Sequence, residues 1–171
     1  AFLQQEIARR LDERLDMMKL SPARMLDAGC GTGFAFPLLA KRFPKAALVG
    51  LDLAHGMLRQ AEKRLPRPSL IGRLRGAGAP LAAGDLAALP FAADSFDLVW
   101  SSLALQWLDD PETAFRDLRR VLRPGGLCLF ATFGPDTLKE LRAAFAGLDG
   151  YGHVNRFIDM HDLGDALVHA G

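Results

Sequence analysis

The chain has 171 residues, half of them hydrophobic, and a formal net charge of +1. That length suits one domain with its own core, so near-neutral a charge gives no support to a nucleic-acid binder, and no apolar run reaches the roughly 18 residues of a membrane helix. The two cysteines, Cys30 and Cys128, fit reduced thiols in the cytoplasm better than a disulfide or a metal site, so no metal is expected.

Residues 1–20 read as a cover helix. Leu3, Ile7, Leu11, Leu15 and Met18 recur every three or four residues from Phe2 to Lys19, with polar residues between them. Pro22 stops the helix, because proline disfavours helical geometry in the residue before it. Such a helix is expected to pack on the sheet near the entrance to a ligand site.

The stretch from Met25 to Gly33, M-L-D-A-G-C-G-T-G, organises the rest of the chain. An apolar run passes through Asp27 into glycines at alternate positions, Gly29, Gly31 and Gly33, and a helix-compatible segment runs from Phe34 to Phe43. This is a strand, a tight turn and a helix start. Glycine allows positive φ and lets a ligand approach the backbone. The helix start adds free N–H groups and the positive end of a dipole. The corner suits a nucleotide-like ligand bearing a carboxylate or phosphate. The dinucleotide fingerprint G-x-G-x-x-G does not fit, since Phe34 stands where its third glycine belongs.

A second strand, Ala46 to Leu51, ends at Asp52. An acid about 20 residues past the glycines reaches ribose hydroxyls. A helix from His55 to Leu65 comes next, with Met57, Leu58, Ala61 and Leu65 on one side. Ala54 is a poor cap, so its start should fray, and His55 reads as a surface residue. Pro66 to Pro80, with Arg67, Arg73 and Arg75, reads as a mobile basic loop. Pro80 to Gly84 is a short third strand. After it, Asp85 is placed to accept a hydrogen bond from an adenine amine while Leu86 packs on the ring.

Leu98 to Ser101 is the fourth strand. Ligands of open parallel sheets sit beyond the strand C-termini, so Gln106 and Trp107 should overlook the reacting group. Asp110-Pro111-Glu112 starts a helix. Its buried stripe is Ala114, Phe115, Leu118, Val121 and Leu122, and Arg116, Arg119, Arg120 and Arg123 lie mostly outside it. Those arginines either meet an acidic protein or form a solvated face. R-P-G-G closes the helix, and Gly126 to Thr132 is the fifth strand. Helices at Thr137 to Ala146 and Ile158 to Val168 flank the polar, aromatic segment Tyr151 to Phe157.

Alternating strands and helices imply an α/β fold. The expected form is a Rossmann-like open parallel sheet of order 3-2-1-4-5 with helices on both faces, in a single domain over 1–171. Residues 133–171 are expected to supply substrate-side helices.

The D-x-G-x-G-x-G turn, the later acids Asp52 and Asp85, and L-P-F-x-x-x-S-F-D-L-V together resemble the class I S-adenosylmethionine (SAM) methyltransferases over Met25 to Thr132. The resemblance implies SAM as cofactor. It places Asp27, Gly29, Cys30, Gly31, Gly33, Asp52, Leu53, Met57, Asp85, Leu86 and Ser101 at the cofactor. The class adds sixth and seventh strands that this chain does not reach. With the start at Ala1, this leads us to expect a longer protein at both ends.

Three further segments narrow the resemblance: F-L-Q-Q-E-I-A-x-R-L-x-E-R-L, L-A-L-Q-W, and F-G-P-D-T-L-x-E-L-R with H-V-N-R-F. They are similar to the malonyl-acyl-carrier-protein O-methyltransferase family of biotin synthesis. The implied acceptor is the free carboxylate of a malonyl thioester, on acyl carrier protein or CoA, with no nucleic acid or membrane involved. A carboxylate is ionised at pH 7 and needs no strong base. Arg156 is the candidate partner of that carboxylate, since guanidinium matches it in a two-point fork. His153, Asn155 and Gln106 are candidates to orient it. Arg156 as a structural bridge to Asp159 or Asp162 stays open. So do three other readings: a quinone-type methyltransferase using His153 or His161 as base, a protein-arginine hydroxylase assembly factor on the same fold, and an inactive SAM-binding module.

Overall fold

The computed structural model describes residues 2–65, 81–148, 153–155 and 157–171. The basic segment at 66–80 and Arg156 lie outside the described residues. Five strands form one sheet: β1 (Arg24–Ala28), β2 (Ala47–Asp52), β3 (Leu81–Ala83), β4 (Phe96–Ser102) and β5 (Leu122–Ala131). Their order is β3-β2-β1-β4-β5 and every pairing is parallel, as expected. The helices are α1 (Phe2–Arg14), α2 (Phe36–Arg42), α3 (His55–Ala61), α4 (Pro111–Val121), α5 (Lys139–Phe145) and α6 (Met160–Ala170).

The central strand β1 is covered on both sides, which is why it reads as a continuous apolar run. Side chains alternate between two cores. Met25, Leu98 and Trp100 join Ala8 and Leu11 of α1, Leu15 just after it and Leu39 of α2 on one face. Leu26, Ala28 and Val99 join Phe115 and Leu118 of α4 and Leu163 and Ala166 of α6 on the other. A third, smaller cluster joins α2 to α3 through Phe36, Leu58 and Ala61.

Several boundaries differ from the periodicity. The first helix ends at Arg14, and Leu15–Met17 continue as a 3-10 turn. Leu3 and Met18, expected on its apolar stripe, are exposed. The second helix begins at Phe36, because Gly33 N–H closes a turn onto the Cys30 carbonyl and Pro37 sits in the first helical turn. The third helix gives way to a 3-10 turn at Glu62–Arg64. Its start is tied down by the Asp52 carboxylate, which accepts from Ala54 N–H at 2.9 Å where Ala54 itself provides no cap. The R-P-G-G segment is no helix-closing loop. It lies inside β5, where the register slips between Phe96 and Leu98 and Gly125 takes φ +78°.

Candidate active site

The site lies where parallel strands end and the sheet order reverses, between β1 and β4. Two features shape the turn after β1. Gly29 (φ +77°) packs so tightly on the loop after β4 that a Cβ there would stand 2.3 Å from Ala104 Cβ. Gly31 (φ +53°) faces open space, and its N–H donates to Asp52 Oδ2 at 2.8 Å. Gly29 and Cys30 N–H groups both donate to the Leu51 carbonyl at 2.8 Å. Backbone and Asp52 together hold the β1 and β2 exits in one frame.

That frame walls a crevice with two lobes. The first, about 650 Å³, runs from Asp27, Gly31 and Trp100 to Met57 and Arg64. The second, about 520 Å³, is bounded by Leu53, Asp85, Leu86 and Leu108. Gly29, Asp52, Ala54, Ala104 and Trp107 border both, so the lobes adjoin. Trp107 stands at the rim with 71% of its surface exposed, not in the core.

The floor of the first lobe holds two orphaned atoms. Asp27 Oδ2 and Trp100 Nε1 are buried and have no hydrogen-bond partner among the described residues. The two residues are paired in register across β1 and β4, so their side chains share a face. Burial, assisted by the charge of Asp52, pushes the Asp27 carboxyl up to about 8. Leaving such atoms unsatisfied is costly. Next to a cavity, the pairing partner of choice is a ligand that donates to one and accepts from the other.

Of the cofactor residues expected from sequence, Asp27, Gly29, Cys30, Gly31, Asp52, Leu53, Met57, Asp85 and Leu86 line the crevice. Gly33 and Ser101 do not. Gly33 is buried against Phe36 and Ala61 and serves packing between α2 and α3. Ser101 is fully buried on the opposite face and its hydroxyl donates to the Ala28 carbonyl at 2.8 Å, so the neighbouring Ser102 is the residue at the crevice. Burial also pushes the Cys30 thiol up, which makes it a wall and not a nucleophile.

The expected substrate residues are elsewhere. Gln106 does not line either lobe: its amide donates to the Leu103 carbonyl at 2.7 Å, and its oxygen accepts from Thr132 at 3.4 Å. His153 stacks on Phe145 at 4.5 Å, and the Asn155 carbonyl accepts from Arg142 at 3.5 Å, both away from the lining. No described residue of 133–171 borders either lobe.

The reading from sequence overlooked Trp100, hidden in an apolar run. It also overlooked Arg64, whose guanidinium lies 4.0 Å over the Phe34 ring and donates to the Thr32 carbonyl. Among the described residues no three His, Cys, Asp or Glu side chains gather as a metal site, and no helix is long and apolar enough to cross a membrane.

Residues 26–130 match the methyltransferase domain family. The chain belongs to that family. Over its whole length it is 57% identical to a malonyl-[acyl-carrier protein] O-methyltransferase of Laribacter hongkongensis and 51% identical to one of Gallionella capsiferriformans, covering 58% of each relative. The chain thus spans under three fifths of the length of these curated relatives. A crystal structure of an S-adenosylmethionine-dependent methyltransferase from Mesorhizobium loti superposes on 98% of this chain and 82% of its own, with TM-score 0.71 at 24% identity, a likeness of fold.

Proposed function

We propose that this methyltransferase domain binds SAM in the two-lobed crevice and methylates the free carboxylate of a malonyl thioester carried by acyl carrier protein, with malonyl-CoA as a simpler acceptor. The observation that carries the reading is the pair of orphaned atoms on the floor of the first lobe, Asp27 Oδ2 and Trp100 Nε1. The zwitterionic methionine end of SAM supplies an ammonium for one and a carboxylate oxygen for the other. The acceptor is supported by the names of relatives that match the whole chain. Two free cysteines and the absence of a membrane-length helix among the described residues agree with a cytoplasmic site of action.

In this reading Asp52 accepts from the ribose hydroxyls. Asp85 accepts from the adenine amine, and Leu86 covers the ring. Gly31 gives the sugar and sulfur room. Bound SAM supplies an electrophilic methyl group on a sulfonium. The protein's work is alignment: it brings a carboxylate oxygen about 3 Å from that methyl, in line, and keeps water out. Arg156 is proposed to pair with the malonyl carboxylate, with His153 and Asn155 beside it. Gln106 acts on the wall by holding the Leu103 carbonyl, and residues 133–171 are proposed to meet the acceptor outside the two lobes.

The test is mass spectrometry of malonyl-carrier protein incubated with SAM and the protein. A methyl ester on the malonyl group is expected. Methylation of a phenolic acceptor, with none of the malonyl thioester, would overturn the reading.

A further inference from the structure

Arginines on α4 and at the start of β5 are the obvious place for an acidic partner, yet they are already engaged. Arg116 pairs with Glu112 and Arg120 with Asp117, Arg123 with Asp97, and Arg119 donates to the Gly171 carbonyl. Arg120 and Arg123 also hold the carbonyls of Phe91 and Asp94. Two other exposed cations, Lys19 and Lys45, lie at the opposite end of the sheet, ahead of β1 and β2. The segment from His55 to Arg64 differs on both counts. Met57, Gln60 and Arg64 recur on one face and line the first lobe. On the adjacent flank, Arg59 and Lys63 are four residues apart and exposed, and neither holds an ion pair or side-chain hydrogen bond with a described residue. This segment has three cations against one acid, Glu62, a net +2 on a chain whose total is +1. An exposed apolar rim of Leu53, Met57 and Trp107 borders the crevice.

We propose that the flank formed by Arg59 of α3 and Lys63 of the 3-10 turn after it is the docking surface for the acidic carrier protein, whose acyl-bearing arm crosses the Leu53, Met57 and Trp107 rim into the crevice. This rests on the malonyl thioester reading above. The partner is specified by charge and by shape. Carrier proteins of this kind are strongly acidic, and unneutralised cations next to an opening attract them and orient the encounter. The apolar rim suits the neutral, flexible part of the arm. α4 is less suited, because Arg116 and Arg120 are paired with Glu112 and Asp117 and Arg119 is held by the Gly171 carbonyl.

The test uses the double charge reversal R59E/K63E, with R116E/R119E as a control of equal charge change. The turnover of malonyl-carrier protein is compared with that of the malonyl thioester of N-acetylcysteamine, whose arm is uncharged, and the binding of unacylated carrier protein is followed by fluorescence anisotropy. On the carrier substrate, kcat/KM is expected to fall about tenfold or more in R59E/K63E, in the range that loss of steering gives. Turnover of the N-acetylcysteamine thioester in that variant, and of both substrates in the control, should stay within about twofold, too small for a lost steering effect. Equal loss on both substrates, equal loss in the control, or unchanged carrier kinetics overturns the proposal. If the wild-type protein methylates neither thioester, the substrate reading fails, and anisotropy decides the surface. Carrier binding that R59E/K63E weakens keeps it, and carrier binding that is absent or insensitive to the reversal removes it.

Discussion

Asp27 carries the clearest pH signature. Its carboxyl titrates near 4 in an unfolded chain and is pushed up to about 8 in the fold by burial and by Asp52. The folded state therefore keeps a proton that the unfolded chain gives up. By linkage, this group's contribution to stability is complete below pH 4 and is lost as pH rises toward 8. Asp27→Asn removes the titration. Urea midpoints of the SAM-free protein should fall between pH 5 and pH 8 in the wild type more than in the variant, and the variant should be the more stable one at pH 8. Parallel profiles for the two proteins would refute this.

Trp100→Phe keeps most of the ring volume and removes the N–H. A hydrogen bond of about 1 kcal/mol corresponds to a roughly fivefold weaker affinity for SAM. Affinity for methylthioadenosine, which lacks the amino-acid end, should not change. Calorimetric titration of both ligands checks this, and equal weakening would point to disturbed packing.

The crevice-lining glycine turn and the acids Asp52 and Asp85 are legible in the chain because each lies within a few residues of a strand end. Trp100 was not legible, since an indole in the run D-L-V-W-S reads as core, and only the pairing of β1 with β4 sets it beside Asp27. Ser101 was misplaced by one position. The strand period of two sends it to the far face and leaves Ser102 at the crevice.

At the scale of elements, α1 is joined to α2 by a bridge that helical periodicity does not reveal. Arg42 donates to both oxygens of Asp12, at 2.5 and 2.8 Å, and to Asp16 at 2.7 Å. The Arg42 and Asp12 side chains retain only 24% and 13% of their exposure. A two-point pair so sheltered is worth more than an open surface pair. Arg42→Ala should cost about 2 kcal/mol and raise amide exchange along α1, whereas Arg116→Ala, which breaks an exposed pair within α4, should cost under about 0.5 kcal/mol. Urea denaturation and hydrogen exchange distinguish them. Because Gln4 and Ala8 of α1 border the first lobe, loosening this helix should also weaken SAM binding. Only α4 buries its whole apolar stripe; Leu3 and Met18 of the first helix and Met57 of α3 are exposed, and α5 buries no residue. The helix ends do not follow the periodicity either, since they are decided by single contacts: the Gly33 turn, the Asp52 cap on α3, and the slip in β5.

Over the whole molecule, the two ends of the sheet do different work. The C-terminal ends of the strands open onto the crevice. At the opposite end, Asp97 Oδ2 accepts from Ala23 and Arg24 N–H, both at 2.8 Å, and Oδ1 accepts from Arg123 at 2.8 Å, which pins β1, β4 and β5 together. Burial alone would raise the Asp97 carboxyl; the Arg24 N–H, the Arg123 guanidinium and the Ala23 N–H outweigh it and hold it below the ordinary range. A carboxyl held low stabilises the fold above its unfolded pKa, and that contribution is lost as pH falls through the folded value. Asp97→Asn should therefore lower stability at pH 7 by about 2 kcal/mol and make the remaining stability less sensitive to acid. In the protein that stays folded, SAM affinity should remain within about twofold, because no ligand reaches this end of an open parallel sheet. Asp52→Asn reverses the pattern. It removes a charge from the Gly31 and Ala54 clasp at the crevice, so SAM affinity should fall about tenfold or more, the loss of a charge-assisted bond. Denaturation at pH 4 and 7 and SAM titration, run on both variants, decide the matter: if Asp97→Asn cost as much SAM affinity as Asp52→Asn, stability and binding would not be divided between the two ends of the sheet.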